Sequence, residues 1–176
     1  LAFHTKFDLA NVSCEGISSV TADDIAAAKD AGFVIKLLAI AEKLDNDGEP
    51  GVSVRVHPTL LPRTHPLAAV HGAFNAVFVE AENAGELMFY GQGAGGAPTA
   101  SAVMGDVVST ARRLVLGGPL GAETPTGSVP ALPFAKVTTS YSIGLQVTDQ
   151  PGVLAAVARV FAEHGVSIET MRQTIH

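Results

Sequence analysis

Apolar and polar positions alternate through residues 52–57. Val52, Val54 and Val56 fall on one side and Ser53, Arg55 and His57 on the other, the period of a half-buried strand. Pro58, Pro62 and Pro66 follow, so the strand is expected to end at Pro58 and give way to an extended connection. Upstream, residues 33–44 form an almost continuous apolar run. It reads as a long buried strand, although its Leu and Ala content leaves helix open. Thr21-Ala-Asp-Asp24 is a helix start, with a side-chain acceptor followed by two carboxylates in the first turn. Gly32 is its left-handed stop. Residues 67–74 read as a short helix, and 75–82 and 86–90 as strands joined by a turn at Asn83-Ala-Gly85. Residues 98–116 give the clearest helix. Pro98 suits its first position, and Val103, Val107, Ala111, Leu114 and Val115 form one stripe. Residues 117–134, rich in Gly and Pro, read as a linker with ordered turns of its own. Beyond it the pattern is strand (136–147), loop and amphipathic helix (149–164), then strand (166–173).

Composition narrows the class. A chain of 176 residues holds one fair-sized core or two small ones. Its apolar share of 47% comes largely from Ala and Val, with no Trp, so the core is built from small side chains. The net charge of −6 and a pI near 5.4 exclude nucleic acid and anionic membrane as natural partners. Cys14 is alone, so no disulfide closes within the chain, which fits a reducing, cytoplasmic setting. The longest apolar run is interrupted by Lys36 and is too short for a bilayer. Leu1-Ala-Phe-His-Thr5 has neither an initiator Met nor the layout of a signal peptide, and reads as the middle of a longer protein.

Three features carry candidate chemistry. Lys36 sits within Phe33-Val-Ile-Lys-Leu-Leu-Ala-Ile40. On an interior strand its ammonium would be poorly hydrated, which lowers a lysine's pKa and poises it for proton transfer. On an edge strand it would snorkel to water. Glu15, just before the capped helix, is either an anchor for a substrate ammonium or partner for Lys36, or a turn residue before Gly16. Gly91-Gln-Gly-Ala-Gly-Gly96 satisfies G-x-G-x-x-G but lacks the following parallel strand and acidic residue of a dinucleotide fold. What survives is a loop that brings backbone N–H groups close to a ligand at a helix N-terminus, or else a tight structural turn. The six histidines show no metal-ligand spacing, so no metal is expected.

The segment from Asp149-Gln-Pro-Gly-Val-Leu154 through residue 173 resembles an ACT domain, an amino-acid-sensing module. It would be the first half of a ferredoxin-like βαββαβ unit. The preceding blocks resemble monofunctional bacterial homoserine dehydrogenase of actinobacterial type. They include Cys14-Glu-Gly-Ile17, Val20-Thr-Ala-Asp-Asp-Ile25, Lys36-Leu-Leu-Ala-Ile40, Arg55-Val-His-Pro58, Asn75-Ala-Val-Phe-Val-Glu-Ala81 and Gly93-Ala-Gly-Gly-Ala-Pro-Thr-Ala100. The resemblance implies reversible, NAD(P)-dependent oxidation of homoserine to aspartate semialdehyde on the route to threonine, methionine and isoleucine. It implies Lys36 as proton donor and acceptor, Glu15 as ligand of the substrate amino group, and Gly93 and Gly95 as the loop over the nicotinamide. Asp149, Gly152 and Val153 would line an effector site for threonine. Gly32 stands where many relatives have a substrate-binding aspartate. The main cofactor site and the family's monovalent-cation site would lie in an N-terminal domain outside this sequence.

The expected class is therefore α+β, a mainly antiparallel sheet covered by helices. A substrate and dimerisation domain (1–118), a linker (119–135) and half an ACT domain (136–176) follow in order, in a homodimer or higher homo-oligomer. The competing reading is a non-catalytic amino-acid-binding regulator or assembly module, which needs neither Lys36 nor the glycine loop.

Overall fold

The structure, a computed structural model, describes residues 3, 5–46, 49–117 and 129–173. The chain divides into two compact units, 1–139 and 140–176, and the antiparallel α+β class holds for the first.

The first unit opens with a 3₁₀ turn (Leu9–Asn11) and a two-residue strand β1 (Ser13–Cys14). Helix α1 (Ala22–Asp30) starts at Thr21, which together with Asp24 forms a reciprocal capping box. Gly32 ends it at φ +85°, where a side chain would be strained. Ala28 is the buried residue of α1, which packs on the next strand. Strand β2 (Phe33–Asn46) pairs antiparallel with β3 (Glu49–Pro62) along its full length, and β1 joins the other side of β3 in parallel. The sheet order is β1-β3-β2.

The strand expected to end at Pro58 runs on to Pro62, and the reason is parity. The N–H of Val52 bonds Pro130 O and the carbonyl of Val56 takes Glu15 N–H, both away from β2. Pro50, Pro58 and Pro62 share that even parity, so their missing donors face away from β2 and cost the ladder nothing. The connection that follows is a 3₁₀ turn (Pro66–Ala69) rather than a helix reaching 74.

Strands β4 (Phe74–Ala81) and β5 (Gly85–Gln92) form a separate antiparallel hairpin, with Gly85 at φ +67° closing the turn. Helix α2 (Gly96–Leu116) begins two residues earlier than expected, so Pro98 is third rather than first. That remains within the turn whose N–H groups have no helical acceptor. Its apolar stripe exists, but no residue of α2 is buried. Of the expected linker, 118–128 lies outside the described residues. The part beyond it docks: Ala131 forms a parallel bridge with Val52, Leu132 N–H donates to Val52 O at 2.9 Å, and Leu132 and Val137 are buried. A 3₁₀ turn (Phe134–Lys136) stands where the next strand was expected to begin.

In the second unit, helix α3 (Val153–Glu163) forms behind Gly152 at φ +92°. The strands expected on either side do not form among the described residues. A split βαβ leaves a strand-wide gap between its two outer strands. Neither can bond the other in that arrangement, so the two segments form no ladder together.

Candidate functional site

Lys36 is half-buried on β2, the outer strand of its sheet, so of the two positions the sequence left open it takes the edge. Its Nζ does not pair with Glu15. It donates to the carbonyl of Val70 at 2.5 Å, in the short segment after the 3₁₀ turn. Across the ladder Lys36 faces Thr59, and Leu38 faces His57, so Lys36, Thr59 and His57 share one face of the sheet.

Glu15 is exposed, directly after β1, and its N–H bonds Val56 O at 2.7 Å. Extending the β1–β3 register by one residue sets it beside His57 on that same face. It is two strands away from Lys36, so the two charges flank a shared surface rather than pair.

His57 is a member of this face that the sequence pattern marked only as a polar strand position. Its Nδ1 lies 2.9 Å from Pro58 O and 3.2 Å from Thr59 Oγ1. A carbonyl only accepts, so in the neutral ring Nδ1 carries the hydrogen and Nε2 keeps its lone pair. Phe134 lies against the ring, with centroids 5.8 Å apart. Arg55 was equally unremarked. Its side chain is buried on β3, and Nη2 bonds Glu42 Oε2 at 3.0 Å. Nε and Nη1 find no partner among the described residues. A period-two pattern marks Arg55 as polar-facing and gives no sign of its burial.

The glycine loop lies at the far end of the hairpin, where Gly93 N–H donates to Ala73 O at 3.0 Å. Val70, which holds the Lys36 amine, and Ala73, which holds Gly93, are three residues apart. Their Cα atoms are therefore at most about 11 Å apart, and one short backbone segment tethers both the amine and the loop. Gly93, Gly95 and Gly96 line an open concavity of about 710 Å³ with Thr99, Ala100, Val103 and Met104. No side chain caps α2. Pro98 has no N–H, so the donors of the first turn are those of Gly96 and Ala97. Gly95 has φ +128°, a conformation open to glycine alone. Among the described residues no group of His, Cys, Asp and Glu side chains has the makings of a metal site.

In the second unit Gly152 and Val153 form the turn into α3, with Val153 N–H bonding Gln150 O at 3.3 Å. Asp149 is exposed just ahead of them.

The fold and loop define an α+β unit with a glycine loop heading a long helix, followed by a small loop-and-helix unit. The chain belongs to the homoserine dehydrogenase family, whose profile matches residues 1–108. An ACT domain profile matches residues 141–176. A homoserine dehydrogenase of Corynebacterium glutamicum is 55% identical over 174 residues, covering 98% of this chain and 39% of that protein. One from Mycobacterium tuberculosis is 53% identical, with 98% and 40% covered. Among solved structures, a homoserine dehydrogenase from Thiobacillus denitrificans superposes with a TM-score of 0.84 at 36% identity, over 98% of this chain and 40% of that one. The Staphylococcus aureus enzyme gives 0.54 at 38% identity over 69% and 29%. The chain thus spans about 40% of the length of the curated relatives it matches.

Proposed function

We propose that the chain is the substrate-side and regulatory portion of an NAD(P)-dependent homoserine dehydrogenase interconverting L-homoserine and L-aspartate 4-semialdehyde in the cytoplasm. Residues 1–118 supply the substrate and dimerisation domain, 119–135 the connection, and 136–176 part of the ACT regulator. The observation that carries this reading is the tether just described, by which the single backbone segment 70–73 bonds both a lysine amine and a glycine loop. A pure amino-acid sensor has no use for either.

Lys36 is the proton-handling group. Its half-buried stem and the Val70 carbonyl fix where the amine points, so a hydroxyl bound over this face meets a donor already oriented. In the oxidising direction the neutral amine takes the hydroxyl proton, and in the reducing direction the ammonium returns it. Glu15, across the same face, neutralises the substrate ammonium while leaving its hydroxyl end toward Lys36. Gly93 and Gly95 carry no side chain of their own between the loop backbone and a flat ring approaching it. NAD(P), when bound, supplies the hydride acceptor, and its main site belongs to the part of the protein outside this sequence. Asp149, Gly152 and Val153 form the effector loop, with threonine the expected ligand.

Lys36→Ala in the full-length enzyme is expected to lower kcat by about 10²–10⁴-fold with dinucleotide affinity unchanged. Steady-state kinetics with fluorescence titration of the dinucleotide checks it, and near-wild-type turnover would defeat the assignment.

A further inference from the structure

We infer that Asn75 is a positioning residue for the dinucleotide-facing loop, and that Gly93 must be glycine because Asn75 is there. The inference rests on the reading above that this loop meets the cofactor. The hairpin register opposes Asn75 to Gly91 and Phe74 to Gln92. The Gly93 N–H to Ala73 O bond extends that ladder one step further. Asn75, Gly91 and Gly93 therefore lie on one face, with Asn75 and Gly93 as diagonal neighbours. The side chain of Asn75 uses that diagonal. Its amide nitrogen already stands where a Cβ at Gly93 would be, and its Cγ is close behind.

The other glycines of the loop set this apart. At Gly91 and Gly96 an added Cβ would meet nothing within 4 Å. At Gly95 the obstacle is backbone conformation, φ +128°. Gly93 is not among the positive-φ glycines, so its backbone would tolerate a side chain. The obstacle is space, and its occupant is the Asn75 carboxamide, which would have to rotate out of its place to admit a Cβ. The carboxamide lies across the loop just ahead of α2 and fixes how far the chain descends before the first helical N–H groups. A displacement there moves the donors of Gly96 and Ala97 with it.

The test is a double-mutant cycle in the full-length enzyme, with melting temperature recorded to confirm folding. Gly93→Ala is expected to raise the dinucleotide KM about tenfold or more, and Asn75→Ala several-fold, each with a smaller change in kcat. Asn75→Ala combined with Gly93→Ala is expected to recover most of the Gly93→Ala loss, because the carboxamide that held the space is then gone. If Gly93→Ala weakens dinucleotide binding but the pair shows the sum of the two single losses, the Asn75 inference falls and the cofactor reading stands. If Gly93→Ala leaves dinucleotide KM and Kd unchanged, both fall.

Discussion

Thr21 and Asp24 close on one another at the start of α1. Thr21 N–H and Oγ1–H donate to Asp24 Oδ2 at 2.9 and 2.7 Å, and Asp24 N–H returns a bond to Thr21 Oγ1 at 3.2 Å. The Thr21 backbone bond, then its hydroxyl, hold the Asp24 carboxyl below its ordinary value of 3.8. A lowered folded-state pKa contributes stability above the unfolded value that fades as pH falls through the folded one. The helix start should therefore weaken only below about pH 3.8. Thr21→Ala is expected to cost about 1 kcal/mol at neutral pH and to reduce that acid dependence only in part, since the backbone bond to Asp24 survives the change, read by denaturant titration at several pH values. This pair was legible from spacing alone, because every bond in it is local. The surroundings of Lys36 were not. The sequence left open an interior or an edge strand, and the Val70 carbonyl that takes its amine lies 34 residues away.

Among the elements that form, β3 outruns its expected bounds and binds the most together. Its prolines looked like terminators, yet their parity turns each missing donor away from β2. Parity relative to a partner strand does not exist until the partner is placed. The same strand carries the docked segment after α2. The side chain of Leu132 fills the space over Gly51, and Val52 is completely buried beneath it. Gly51→Ala is expected to displace Leu132, cost about 1–3 kcal/mol, and speed hydrogen exchange at the Val52 and Leu132 amides. Unchanged protection at both would show that the segment holds without that contact. Helix α1, the β4–β5 hairpin and most of α2 were readable because caps, turn glycines and period-3.6 stripes are written within each element. The strands around α3 were mis-stated because strand propensity alone makes no ladder.

For the molecule as a whole, the exposed apolar surface is the main fact. Phe89 is 64% exposed and Val115 85%, while the hairpin and α2 carry many more exposed apolar side chains. Patches of this kind mark surfaces covered in an assembly. The full-length protein is expected to sediment as a dimer or larger, and Phe89→Asp to shift it toward monomer. A monomer at micromolar concentration in the unaltered protein would refute this. Sequence by itself determined helices α1, α2 and α3, the β4–β5 hairpin and the family-bearing blocks, since these rest on contacts a few residues long and on residue types in order. Tertiary structure decided what lies beside what: Lys36 against Val70, His57 and Thr59 on its face, Arg55 buried, and Asn75 over Gly93. Those depend on strand register and chain crossing, and one residue of slip would send each side chain to the opposite face.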